Sequence, residues 1–151
     1  MKKNKEARDF LEQVRKLDKM IDNKMYEKQH WKDSAVVITA SMGGEKVQTS
    51  GSKEKMADSV CKYIDLEKEI DGCIDMLVDK RKEVISVIEQ LNANEYDLLH
   101  KIYVQYMTFE EVADTNNKSY SWVTSVHGAA LNHVQNILDN KKMQKNAKNC
   151  I

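Results

Sequence analysis

The chain has 151 residues, 32% of them charged and 7% aromatic, and its 24 basic and 24 acidic side chains cancel to zero net charge. That length allows one domain, or a small domain with a long extension. The charge balance leaves no global field that would draw the chain to nucleic acid or to an anionic membrane.

The sequence contains no proline and only five glycines, three of them between Gly43 and Gly51. Proline is what interrupts helix interiors, so long unbroken helices and an all-α fold are expected. Cys61, Cys73 and Cys150 are odd in number, widely spaced and without a CxxC pattern. This reads as reduced thiols in a cytosolic protein rather than a disulfide frame. The N-terminus, MKKNKEARDF, is basic but leads into an amphipathic segment, so neither a signal peptide nor a membrane span is expected.

From Phe10 the apolar positions run Phe10, Val14, Leu17, Ile21, then Trp31, Ala35 and Ile38, at alternating steps of three and four. The gap falls on Lys24 and Lys28, with Met25 nearby. This is a heptad seam with a polar interruption. A second seam follows through Met56, Val60, Tyr63, Glu67, Ile70, Ile74, Leu77, Arg81, Val84, Ile88 and Leu91, where only Glu67 and Arg81 break the apolar rule. Such a helix would be roughly 55–60 Å long. Between the seams, SMGGEKVQTSGS (residues 41–52) is a loop by composition, and Ser50 or Ser52 is the expected N-cap of the second helix. Residues 1–91 are therefore expected to form an antiparallel coiled-coil hairpin. Val14, Leu17, Ile21, Trp31, Val60, Ile70, Ile74, Leu77 and Val84 are its candidate dimer or partner interface. The run Asp79 to Glu83 and the carboxylates Asp65, Glu69, Asp71 and Asp75 read as solvated helix faces.

Asn92 to Asn94 breaks the pattern with N-cap chemistry and opens a helix striped by Leu98, Leu99, Ile102 and Tyr106. Thr108 with Glu111 forms a capping box for a next helix, whose Phe109, Val112 and Ala113 face inward. TNNKS is a turn in which Asn tolerates the left-handed conformation. Ser119 or Ser121 then caps a last helix with a buried stripe of Val123, Val126, Ala130, Val134 and Ile137 or Leu138. Its opposite face carries Ser121, Thr124, Ser125, Gly128 and Asn132, with Tyr120 and Trp122 near the start. Three short helices with a brief turn before the last is the layout of a three-helix helix-turn-helix module, expected over 92–140. A basic flexible tail is expected over 141–151.

Thr108 to Val134 resembles region 4 of sigma-70-type transcription factors. The pattern T-L-E-E-[IV]-[AG] … [ST]-x-x-x-[VI]-x-x-[IV]-x-x-x-A-L fits without a gap at Thr108, Phe109, Glu110, Glu111, Val112, Ala113, Ser119, Val123, Val126, Ala130 and Leu131. Through RKLDKMIDNK (15–24), SGSKEKMADSV (50–60) and YDLLHKIYVQYMTFEEVA (96–113), the whole chain also resembles small phage- and prophage-encoded proteins of Gram-positive bacteria. In these, a helical N-terminal half precedes a sigma-region-4-like module. The resemblance implies a late-gene transcription regulator in the bacterial cytoplasm. It would bind double-stranded DNA through Thr108, Lys118, Ser119, Tyr120, Ser121, Trp122, Thr124, Ser125 and Gly128, and its hairpin would dimerise or contact RNA polymerase.

The chain departs from that pattern. The positions of Tyr120, Trp122 and Thr124 are commonly basic in sigma-like modules, and that of Ser125 is often Gln. At Lys118 an apolar residue usually seats the turn, so Lys there points to a loosened or lengthened turn. Ser, Thr and Asn can still bond base edges or phosphates, and basic charge is sought in Lys118, Lys101 and the tail lysines 141, 142, 145 and 148. Yet from Asn92 onward six lysines meet six acids, whereas a nucleic-acid module is usually clearly basic.

His127 and His133 lie six apart, on different helix faces and away from any Cys, so no metal is expected, and His127 reads as an exposed residue at the edge of the reading face. Gly128, within a helix, costs about 1 kcal/mol relative to Ala, which implies close approach by a neighbouring helix or by DNA. No nucleophile–base pair, paired-carboxylate site or phosphate-cradling loop is visible, so no enzyme, cofactor or small-molecule substrate is expected. The alternative to DNA binding is a protein-interaction role, with the hairpin acting as an adaptor or inhibitor of a host or phage protein.

Overall fold

The computed structural model describes residues 3–42 and 50–150. The chain is all-helical: α1 (Lys5–Met42), α2 (Ser50–Ile88), α3 (Ala93–Leu99), α4 (Phe109–Thr115) and α5 (Tyr120–Asn149), with one π-helical stretch, His100–Val104, following α3. The apex of the expected loop and the side chains of Ser50 and Ser52, and so the expected cap of α2, lie outside the described residues. Two compact units divide the chain. One is Leu17–Leu77; the other joins Met1–Lys16 to Val78–Ile151. The division therefore falls within α1 and α2 rather than at the expected boundary near residue 91.

In the Leu17–Leu77 unit, α1 and α2 run antiparallel. Lys24 Nζ lies 2.7 Å from Glu69 Oε2 and Lys28 Nζ 3.2 Å from Glu67 Oε1, while the Lys62 ammonium sits 4.1 Å from the centre of the Trp31 ring. The polar interruption in the first seam is thus answered by carboxylates of α2, and hydrogen bonds to those carboxylates raise both ammonium groups above the ordinary lysine value.

The inward seam of α2 differs from the expected one at alternate positions. Tyr63, Ile70 and Leu77 hold, but Ser59, Leu66 and Cys73 face inward where Val60, Glu67 and Ile74 were expected. Val60 and Ile74 are exposed. The charge at Glu67 was the sign of this shift: one residue back lies Leu66, which buries without a desolvation cost.

The second unit has its core on α5. Val123, Ala130, Leu131 and Val134 are buried together with Val112 and Ala113 of α4, Leu98 and Leu99 of α3, and Ile102, Tyr103 and Val104 of the π-helical stretch. Ala7, Leu11 and Val14 of α1 and Val84, Val87 and Ile88 of α2 are buried in the same unit. Val126 of the expected stripe is only half-buried. Of the nine candidate interface residues, Val14, Ile21, Ile70 and Val84 are already covered by the chain itself.

α5 continues to Asn149, so the segment expected as a flexible tail is helical from residue 141 to Asn149, and the helix is exposed throughout from Asp139 onward. Helix propagation needs only one bond per residue added, nothing in the segment interrupts it, and Lys148 in the last turn suits the negative end of the helix dipole.

Leu11 is fully buried, so Leu11→Ala should cost about 2–5 kcal/mol in urea unfolding. Tyr26→Ala, at a residue 77% exposed, should stay within about 0.5 kcal/mol. Equal costs at the two sites would contradict the placement of the start of α1 in a core.

Candidate nucleic-acid interface

The segment from α4 to α5 is closed by local hydrogen bonds. Thr108 Oγ1 accepts from the Glu111 amide at 3.2 Å, and Glu111 Oε2 accepts from the Thr108 amide at 2.7 Å, giving the expected capping box. At the far end of α4 the Lys118 amide donates to the Ala113 carbonyl at 2.9 Å and the Asn117 amide to that of Asp114 at 3.3 Å. Asn117 takes φ 52°. This is the paired-bond helix stop in which a left-handed residue reverses the chain, with Asn in place of Gly. Ser119 Oγ then accepts from the Trp122 amide at 3.1 Å and caps α5. The turn is closed, not loosened. Lys118 does not seat it from within but lies outside, its ammonium 5.5 Å from the Trp122 ring centre.

The residues singled out in the sequence come together here. At about 100° per residue, Ser121, Thr124, Ser125 and Gly128 fall within roughly 100° of the α5 circumference, and all four are exposed. Thr124 donates its hydroxyl to the Ser121 carbonyl at 2.9 Å. Tyr120 and Trp122 flank the face: Tyr120 is exposed with its ring 6.0 Å from Phe109, and Trp122 is half-buried. A Cβ added to Gly128 would meet nothing within 4 Å, so no neighbouring helix accounts for that glycine. Thr108 and Ser119 are exposed but serve as caps.

The face is short. Asn132, next along it, accepts from Asn4 Nδ2 at 2.6 Å, and Gln135 accepts from the Ala7 amide at 3.1 Å. The start of α1 therefore covers α5 beyond Gly128. Glu6 pairs with Lys142 at 2.6 Å, which holds the Glu6 carboxyl below the ordinary range and the Lys142 ammonium above it.

His127 overturns its sequence reading. It is buried, 7% exposed, with Nε2 2.8 Å from the Tyr103 hydroxyl and its ring 4.9 Å from that of Phe109. Burial, with a smaller contribution from Arg8, lowers its pKa to about 4, while burial pushes the Tyr103 hydroxyl up to about 12. At neutral pH an uncharged imidazole therefore shares one hydrogen bond with the Tyr103 hydroxyl. The clue was spacing: His127 falls four residues after Val123 and three before Ala130, on the apolar stripe itself. His133, six residues on, is bonded through Nδ1 to both oxygens of buried Glu95 at 2.9 Å.

The charges sought for DNA are mostly engaged or turned away. Lys101 Nζ lies 2.8 Å from Asp97 and 2.5 Å from Asn116 Oδ1, and Asn116 donates to Asp97 at 3.1 Å. Lys141, Lys145 and Lys148 continue the line of the buried stripe, roughly 140° around α5 from the Ser121–Gly128 face.

No family model, no curated protein and no solved structure matches the chain. Among the described residues, no helix is long and apolar enough to cross a membrane, no group of three or more His, Cys, Asp or Glu side chains is placed to hold a metal ion, and Cys61, Cys73 and Cys150 are free thiols.

His127 takes up a proton near pH 4 when folded against an ordinary value of 6.5. The stability it supports is complete above pH 6.5 and is lost as pH falls toward 4. Urea midpoints of the native chain should drop between pH 7 and pH 4.5, and His127→Gln should flatten that drop. An unchanged slope in the variant would refute the burial argument.

Proposed function

We propose that the chain is a phage or prophage transcription regulator that binds double-stranded DNA by laying the first turns of α5 in the major groove. The observation that carries this reading is the capped α4–turn–α5 unit, which leaves Ser121, Thr124, Ser125 and Gly128 outward with no intramolecular neighbour over Gly128. Hydroxyl groups on such a face bond base edges and phosphates, and the missing side chain at Gly128 lets a backbone come close. The sigma-like pattern over Thr108 to Val134 supports the same reading.

Few cations stand near this face, so each copy neutralises few phosphates and binds weakly with a shallow salt dependence. Two linked copies recover affinity through effective concentration, which makes a dimer part of the proposal. Contact of the hairpin with RNA polymerase would fit an activator. The second reading, a protein-binding adaptor or inhibitor, draws on the exposed apolar side chains of the Leu17–Leu77 unit.

Gel shifts on fragments of the source phage genome at low salt, with and without polymerase, test the main reading. Ser121→Ala with Ser125→Ala should weaken binding about tenfold or more, since each good base contact is worth about 1–3 kcal/mol. Gly128→Ala should do two opposite things: stabilise the fold by about 1 kcal/mol, and weaken DNA binding by closing the approach. No shift of any fragment would leave the adaptor reading in its place.

A further inference from the structure

From Asn140 to Ile151 the sequence carries four lysines and no acid, so residues 1–139 of this electroneutral chain hold four more acidic than basic side chains. The basic excess is gathered at one end of α5, where the helix is exposed throughout from Asp139 onward. Glu6 takes up Lys142 at 2.6 Å. Among the described residues no ion pair engages Lys141, Lys145 or Lys148. Steps of four and three put these three side chains within roughly 60° of the helix circumference and about 10 Å of its axis length.

A bare cationic helix face selects its occupant by chemistry. An anionic bilayer holds such a helix where an apolar face lies beside the charge, yet Met143, Ala147 and Cys150 fall on the side away from the three lysines. Protein interfaces are built around aromatic and apolar side chains and are depleted in Lys. A DNA duplex asks only for cations and amide groups that meet its phosphate oxygens. Along one strand it presents a charge every ~3.4 Å of axis, so a span of about 10 Å meets about three phosphates. We propose that the exposed end of α5 is a sequence-independent contact for the phosphates of double-stranded DNA, made by Lys141, Lys145 and Lys148 with the Gln144 amide beside them.

This contact is separate from the Ser121–Gly128 face. The two lie about 30 Å apart along α5 and roughly 140° apart around it, so one straight duplex cannot meet both. With the first turns of α5 in a major groove, the chain would hold two DNA segments together. That consequence rests on the groove-reading role proposed above; the lysine contact does not.

Fluorescence anisotropy of a labelled random-sequence duplex, titrated with the full chain, is the test. Three phosphates neutralised give a log–log salt slope of about −2.7, a loss of about fortyfold in affinity between about 50 and 200 mM salt. Lys141→Gln, Lys145→Gln and Lys148→Gln together, which keep a good helix former at each position, should lower low-salt affinity at least about tenfold and flatten the slope. Ser121→Ala with Ser125→Ala should leave random-duplex binding unchanged. Should the triple variant lose helix by circular dichroism, Gln144→Glu decides instead. It keeps every lysine, favours the helix by pairing with Lys148, and should weaken duplex binding severalfold. No binding by the native chain at low salt, affinity indifferent to the lysine and Gln144 changes, or tighter binding to phosphatidylserine vesicles than to duplex would each overturn the proposal. Random duplex bound with no genomic fragment preferred would remove the groove reading and leave the lysine contact standing.

Discussion

The inward stripe of α5 is met from several directions, and the rest of the second unit follows from that. Val123, Ala130 and Val134 are fully buried, and between them His127 is held by the Tyr103 hydroxyl and the Phe109 ring. The covering groups come from α3, α4 and the π-helical stretch, while Asn4, just before α1, and the Ala7 amide of α1 bond to Asn132 and Gln135 of the same helix. The wide turn before α4, with the Gln105 amide bonded to the His100 carbonyl at 3.0 Å, accompanies three consecutive buried residues, Ile102 to Val104. A regular surface helix buries a stripe, not a run. Once the inward side of α5 is set this way, Ser121, Thr124, Ser125 and Gly128 can only point out.

Local chemistry in the C-terminal part was largely legible in the sequence. Asn92, Thr108 with Glu111, Asn117 and Ser119 act at the helix ends where their side chains predict, because caps and left-handed turns involve groups within a few residues of one another. What the sequence obscured were choices decided by distant partners. His127 is polar, and polarity alone argues for water; the apolar spacing around it argued otherwise and was the better guide. The α2 seam slipped at alternate positions because Val60 and Ile74 are as apolar as Leu66, so the apolar pattern admitted two phases and the charge at Glu67 was the one sign in the sequence that favoured the other. The end of α5 looked like a tail because its charge was read without its helix propensity.

Zero net charge also has a structural meaning that composition alone could not reveal. Lys24, Lys28, Lys101 and Lys142 each rest on a carboxylate, and for Lys24, Lys28 and Lys142 that carboxylate stands on another helix. Exposed pairs of this kind contribute little stability, about 0–1 kcal/mol each, but a lysine held by a carboxylate is a poor ligand for phosphate. Lys141, Lys145 and Lys148 escape this, and they lie in line with the core stripe rather than with the hydroxyl face.

These features bear on the proposed function in a single direction. A recognition face of hydroxyls without cations gains little from the sequence-independent attraction that dominates non-specific DNA binding. It would be selective before it was tight, because hydrogen bonds to base edges discriminate while adding little to general affinity. Such a face becomes useful only when repeated on one particle, where the second contact is made at high effective concentration. A regulator built this way would occupy DNA in pairs and leave it as single chains, so its own concentration would be the variable that turns binding on.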